Sequence, residues 1–259
     1  MQRILANGIK SLEAALRQRL NTEETRTWIK EQSRPFRELM SYYRCALMEV
    51  ETKFRVLNEE LSLEGEANPI DSIESRLKSP ESILDKVERK GIDFSVEAIE
   101  EHIDDIAGIR VICSFESDVY LIAESLLRQT DVRLIERVDY IAHPKPSGYR
   151  SLHLVIAIPI FLYDEMKTMK VEVQLRTMAM DMWASLEHKL AYKKAEPRDP
   201  EAMRKNLLEC AELSAHIDKL MTETSAMLDE KKRTEHAKGE RAKGIQDGAP
   251  SLFGATRYA

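Results

Sequence analysis

Apolar residues recur along the first third of the chain at alternating steps of four and three. Phe36, Met40, Tyr43, Leu47, Val50, Phe54, Leu57 and Leu61 make the seam of a long helix that packs lengthwise. Pro35 is expected to open this helix, and Gly65 and Pro69 to close it. The residues before it are highly charged with helical periodicity and read as one or two surface helices.

The period then changes. Ile109, Val111 and Cys113 alternate with other residues, which predicts a strand over about 106–114. The β-branched content around 132–141, 152–161 and 168–175 predicts three more strands, and a first is placed near 72–78. Helices are expected over 80–90, 95–102 and 117–129, the first with Ser79 as its cap and Pro80 at its first position. A helix over 178–194 follows. Asp199-Pro200-Glu201 opens another, with Met203, Leu207, Cys210, Ser214, Ile217, Met221 and Leu228 along one face. The fold class is α+β, a mixed five-stranded sheet flanked by helices, with long N- and C-terminal helices.

The chain divides accordingly. Residues 1–34 are an N-terminal helical extension, and 35–69 are a long helix that packs on the core or on a partner. Residues 70–195 are the core, 196–232 a C-terminal helix suited to oligomerisation, and 233–259 a polar, glycine-punctuated tail expected to be disordered.

Composition narrows the function classes. With 43% hydrophobic residues in 259 there is material for a packed core, which excludes disorder as the main state. No stretch approaches the ~20 apolar residues that cross a bilayer, and the charged N-terminus does not read as a secretory signal. Cys45, Cys113 and Cys210 lie far apart among apolar neighbours, in neither a disulfide framework nor a zinc spacing. A cytoplasmic protein is expected. The net charge of −6 lacks the overall footprint of a nucleic-acid binder, so neither DNA nor a membrane is expected as a partner.

Candidate chemistry lies where polar residues interrupt apolar patterns. In Val171-Glu172-Val173-Gln174-Leu175-Arg176 the even positions place a carboxylate, an amide and a guanidinium on one strand face, either an exposed sheet face or a cleft floor. Asp105 leads into the strand that holds Gly108 and offers a hard-cation ligand at the strand mouth, although Asp also commonly starts a strand after a turn. The loop His143-Pro144-Lys145-Pro146-Ser147-Gly148-Tyr149-Arg150 is a rigid connector that also carries cations for phosphate and a ring for stacking. Glu187 interrupts the helical stripe of Met180, Trp183 and Leu190, where a carboxylate more often pairs with a nearby Arg than reads a ligand, and His153 is more often a core histidine than a catalytic one. Arg76 and Lys78 precede the helix start at Ser79, where Ser82 and Lys86 are able to complete a phosphate site. No GxxxxGK[ST] or GxGxxG motif occurs.

These segments, in this order, resemble the small alarmone synthetases of the RelA/SpoT family. The resemblance rests on RLKSPESILDKVERKG (76–91), DIAGIRVICSF (105–115), HPKPSGYRSLHLVI (143–156) and VEVQLRTMAMDMWASLEHKLAYKK (171–194), with a weaker match in MSYYRCALMEVETKF, and spans about residues 36–230. No HDxxED hydrolase motif occurs. The resemblance implies a nucleotidyltransferase-like sheet and Mg²⁺-dependent transfer of pyrophosphate from ATP to the 3′-hydroxyl of GDP or GTP, releasing AMP. Matched by motif, Asp105 and Glu172 are the catalytic and metal-binding carboxylates, with Glu172 placed to accept the hydroxyl proton. Arg76, Lys78, Ser82 and Lys86 match the ATP segment. Lys145, Tyr149, His153, Gln174 and Glu187 match acceptor contacts, with Tyr149 stacking on guanine. Asp181 stands where family members often carry Asn. The family also implies a homotetramer built through the terminal helices.

Two other readings compete. One is the same fold acting on adenine nucleotides or the 3′ end of tRNA; the other is a non-catalytic regulator that binds nucleotide or RNA. The basic segment KKRTEHAKGERAK offers a local attraction for single-stranded RNA, while the overall acidity argues against tRNA. Keeping both Asp105 and Glu172 argues against a catalytically dead regulator.

Overall fold

A computed structural model describes residues 23–64, 68–93, 95–191 and 199–246, with side chains placed over 34–63, 68–93, 95–190 and 199–227. Helix α1 (Glu23–Glu64) is followed by β1 (Ile70–Leu77), α2 (Pro80–Lys90), α3 (Val96–His102) and β2 (Ala107–Cys113). Then come α4 (Glu116–Leu127), β3 (Arg133–Asp139), β4 (Leu152–Phe161), β5 (Met166–Thr177), α5 (Met178–Ala191) and α6 (Pro200–Gln246). The strands form one mixed sheet in the order β1-β2-β5-β4-β3, with β2 and β5 parallel and the other neighbours antiparallel.

The alternation of the strands gives the sheet two unlike faces. Ile109 and Val111 of β2, Val171 and Val173 of β5, and Leu154 and Ile156 of β4 are fully buried. Helix α1 lies along the sheet, touching β1, β2, β4 and β5, and supplies Met40, Tyr43, Leu47, Val50, Phe54 and Leu57 to the same core. This is the expected seam, with Phe36 and Leu61 partly buried at its ends. Burying such side chains contributes about 1.5–3 kcal/mol each, and this contact holds the sheet rigid from behind.

Two boundaries differ from expectation. Pro35 lies inside α1 rather than opening it. An interior proline loses one backbone donor and crowds the preceding turn, but the flanking Glu, Arg, Lys and Gln are good helix formers that carry the helix through it. At the other end α6 runs to Gln246, past the expected limit at 232, into a segment placed in the tail. Its Lys, Arg, Glu and Ala favour helix and outweigh Gly239 and Gly244. The rest of the expected extension (residues 1–22) and tail (247–259) lies outside the described residues, as do the side chains of the basic segment.

The start of α2 matches the sequence reading. Ser79 is extended, its Oγ accepts from Ser82 N at 3.3 Å, and Pro80 opens the helix; Gly91 closes it in the left-handed region at φ 63°.

Candidate active site

The face opposite α1 carries the polar positions of the same strands. Register places Glu74, Arg110, Gln174 and His153 in one cross-strand row, and Arg76, Gly108, Glu172 and Val155 in the next. A cleft of about 450 Å³ opens over these rows, floored by Glu74, Arg76, Arg110, Glu172 and Gln174. Gly108 separates Arg76 from Glu172 in its row. Its missing side chain leaves the floor open between a guanidinium and a carboxylate.

Lys78 and Asp105 close one end of the cleft, where β1 finishes and β2 begins. Lys78 N donates to Ile106 O at 2.8 Å, which fixes the two strand ends together. Lys78 Nζ lies 2.6 Å from Asp105 Oδ2, and Lys86 Nζ, reaching from α2, lies 2.7 Å from Oδ1. Burial pushes the Asp105 carboxyl up, but hydrogen bonds and charge from the two lysines outweigh it, so the group sits below its ordinary range.

Glu172 is held by a closed ring of side chains. Gln174 Nε2 donates to Glu172 Oε2 at 2.9 Å, and Arg176 Nη2 donates to Gln174 Oε1 at 2.7 Å and to Tyr149 Oη at 3.0 Å. Tyr149 Oη is 2.8 Å from His153 Nε2, and His153 Nδ1 is 3.5 Å from Glu172 Oε1. The hydrogen inventory closes with one tautomer: Tyr149 donates to Nε2, and Nδ1–H faces the carboxylate. Burial pushes Glu172 up and Asp105 adds to that push. His153 and Gln174 more than reverse it, which leaves Glu172 ionised at neutral pH.

Arg176 is 3% exposed and ties this ring to α5 through Asp181 Oδ1 at 3.2 Å. Asp181 also lies 3.5 Å from Arg110 Nη1, and Arg110 reaches Glu74 Oε2 at 3.1 Å. Above the ring, Lys145 Nζ stands 4.4 Å from the centre of the Tyr140 ring and 4.8 Å from that of Tyr149. Tyr140 also meets Tyr149 and His153 edge-on. A cation and aromatic rings thus gather at the His153 side of the sheet, with lysines and Asp105 at the other.

A family model described as the region found in RelA / SpoT proteins matches residues 75–197, which include every residue lining this cleft except Glu74. Among curated proteins, the GTP pyrophosphokinase YwaC of Bacillus subtilis is 45% identical over 179 residues, covering 69% of this chain and 85% of that protein. The chain belongs to the RelA/SpoT family. The GTP pyrophosphokinase YjbM of the same organism is 35% identical over 189 residues, 73% of this chain and 87% of that one. Among solved structures, small alarmone synthetase 2 of Bacillus subtilis superposes with a TM-score of 0.67 at 41% identity, covering 74% of this chain and 98% of its own. Small alarmone synthetase 1 from the same organism, bound to its product pppGpp, gives 0.68 at 33% identity, covering 76% and 99%. The five-stranded fold expected from the sequence is that of these synthetases.

Within this family frame, the structure gathers most of the anticipated residues. Asp105, Lys78 and Lys86 meet in one ion-paired cluster; Glu172, Gln174, His153 and Tyr149 meet in the ring, with Lys145 over it. Arg76 lines the cleft. Ser82 and Glu187 stand apart. Ser82 Oγ pairs with Ser79 Oγ at 3.1 Å on the exposed start of α2, and half-buried Glu187 has no side-chain partner among the described residues. Arg110 and Tyr140 are site residues that sequence reasoning passed over. The alternation that marks Glu172 and Gln174 also marks Arg110, so that signal was present; nothing local marks Tyr140.

Proposed function

We propose that this chain transfers pyrophosphate from ATP to the 3′-hydroxyl of GDP or GTP, making ppGpp or pppGpp and AMP. The observation that carries the reading is one cleft holding two carboxylates kept ionised, Asp105 beside Lys78 and Lys86, and Glu172 within the Tyr149 ring. The family's GTP pyrophosphokinases and a relative's complex with pppGpp support it.

In this reading Arg76, Lys78, Ser82 and Lys86 take the ATP phosphates, and their charge offsets the repulsion of two polyanions brought together. The acceptor 3′-oxygen attacks the β-phosphorus of ATP. The bond from that phosphorus to the oxygen shared with the α-phosphorus breaks, AMP leaves, and the hydroxyl proton passes to Glu172. A sugar hydroxyl is scarcely ionised at neutral pH, so a carboxylate ready to accept its proton is needed. Tyr149 stacks on guanine, Lys145 meets acceptor phosphate, and His153 and Gln174 keep Glu172 aimed. Glu187 accepts from guanine N1–H and its 2-amino group, which adenine cannot match.

The donor set fits Mg²⁺ as cofactor. Among the described residues no three His, Cys, Asp or Glu side chains gather as a metal cage. Two carboxylates plus substrate phosphates and water is how Mg²⁺ usually binds, and it would supply charge neutralisation at the phosphates. Asp105 and Glu172 are the residues that would hold it.

The catalytic unit is residues 70–195, and the protein acts in the cytoplasm as a homotetramer. No helix among the described residues is long and apolar enough to cross a membrane. Exposed Leu213, Ile217, Leu220 and Met221 on α6 support assembly through that helix.

The test is an assay with Mg²⁺, γ-labelled ATP and GDP, run beside Glu172→Gln. Label in guanosine tetraphosphate with equimolar AMP, both lost in the variant, is the expected result. Transfer to tRNA or ADP but not to GDP or GTP would overturn the acceptor assignment.

A further inference from the structure

The turn that presents Tyr149 rests on α6. Gly148 is buried at φ 91°, in the left-handed region that favours glycine. A Cβ built on it would stand 2.5 Å from Ala211 Cβ and 3.4 Å from Leu208 Cδ1. The turn backbone therefore presses on the helix where two minimal residues meet. Trp183, Ala184 and Ala211 form a small apolar cluster separate from the main core, and Tyr149 and Leu207 pack against it.

Helix α6 is fastened on either side of this contact. Trp183 Nε1 donates to Leu207 O at 2.8 Å. Eleven residues on, about 16 Å along the helix, buried Asp218 accepts from Thr177 Oγ1 at 2.7 Å. The same hydroxyl accepts from Met180 N at 3.2 Å, so it caps α5 while joining β5 to α6. Both fasteners attach to β5 and α5, the elements that carry Arg176 and Asp181. Ala211 lies between them, and its Cβ defines the surface on which the Gly148–Tyr149 turn sits.

We propose that Ala211 is a positioning residue for the acceptor nucleotide: through Gly148 it sets the height and tilt of the Tyr149 ring. The C-terminal helix is then part of the acceptor site as well as a structural flank. The inference rests on the reading of Tyr149 as the acceptor-stacking residue. The ATP side, built on β1, α2 and Asp105, does not touch this contact. A change at Ala211 acts on one substrate and spares the other.

Ala211→Leu in the full chain tests this by steady-state kinetics with each substrate varied in turn, and by calorimetric titration of GDP without turnover. The expected result is a GDP KM raised about tenfold, a matching weakening of GDP binding, and an unchanged ATP KM, while Ala211→Gly stays near the parent. Should Ala211→Leu fail to fold, Gly148→Ala replaces it. That variant should weaken GDP binding, and adding Ala211→Gly should recover part of the loss, because the 2.5 Å approach is then removed. Parental GDP binding in folded Ala211→Leu, equal rises in both KM values, or no recovery in the double variant would each overturn the proposal. Tyr149→Ala separates the two levels. If it leaves GDP binding unchanged, the acceptor reading falls and the inference with it. If it weakens GDP while Ala211→Leu does not, only the inference falls.

Discussion

Lys78 Nζ and Asp105 Oδ2 lie 2.6 Å apart, joining the end of β1 to the mouth of β2. Lys86 occupies the second carboxylate oxygen, so both ends of the carboxylate that would hold a metal already have cationic partners. A divalent ion alone would compete with these two ammonium groups, and the phosphates of bound ATP would draw the lysines off the carboxylate.

The first prediction follows from that competition. Mn²⁺ titrated without nucleotide, followed by electron paramagnetic resonance, should bind weakly to the parent protein. In Lys78→Gln or Lys86→Gln it should bind about fivefold more tightly, the equivalent of roughly 1 kcal/mol for a partly buried ion pair. The same variants should raise the ATP KM. Unchanged Mn²⁺ affinity in both would show that the lysines do not guard Asp105.

Removing the His153 ring should move the acid limb of activity. Burial pushes Glu172 up, and the hydrogen bond from His153 leads the effects that bring it below its ordinary value. A base with a lowered pKa stays competent to lower pH. His153→Ala leaves burial opposed by Gln174 alone, so the acid limb of kcat/KM should shift to higher pH. A limb that stays in place, measured between pH 4 and 8, would exclude Glu172 as the titrating base.

Arg176→Lys is expected to be a poor replacement despite keeping the charge. The buried guanidinium serves Gln174, Tyr149 and Asp181 at once, and an ammonium cannot span that planar fork. Burial already depresses this group, and a buried cation that loses its partners costs on the order of 3 kcal/mol. Denaturant melts should show that loss, and the acceptor KM should rise more than the ATP KM.

Asp218 carries a pH signature. Burial leads in raising its carboxyl, and nearby Glu116 and Arg150 share the site with the Thr177 hydroxyl. An acid raised in the folded state favours folding below its unfolded pKa, and that contribution disappears as pH rises through the folded value. Asn keeps an acceptor for Thr177 and does not titrate. The stability of Asp218→Asn relative to the parent should therefore increase between pH 4 and pH 7.5, as read from urea melts. A constant difference would show that Asp218 is not strained by burial.

The order of helices and strands, and the polar face of β5, were legible in the sequence because both are local. A period of two puts Glu172, Gln174 and Arg176 on one side whatever the rest of the chain does, and the α1 seam follows from its four-three spacing. Pro35 and the far end of α6 depart from expectation because single breakers are outweighed there by the flanking helix formers.

The amino-acid sequence by itself determined which face of β5 would be polar, where α2 would start, and which family motifs the chain carries. Only tertiary structure decided how the strand faces combine. The register of β1, β2, β5 and β4 aligns Arg76, Gly108 and Glu172 in one row. The seat of α6 brings Ala211 against Gly148, 63 positions earlier in the numbering. The closed ring from Glu172 to His153 depends on the same pairing, because its members come from a loop and two strands. Periodicity follows from backbone geometry within a few residues. Convergence of distant side chains depends on strand order and on which helix covers which face, and those are set by burial of the whole core.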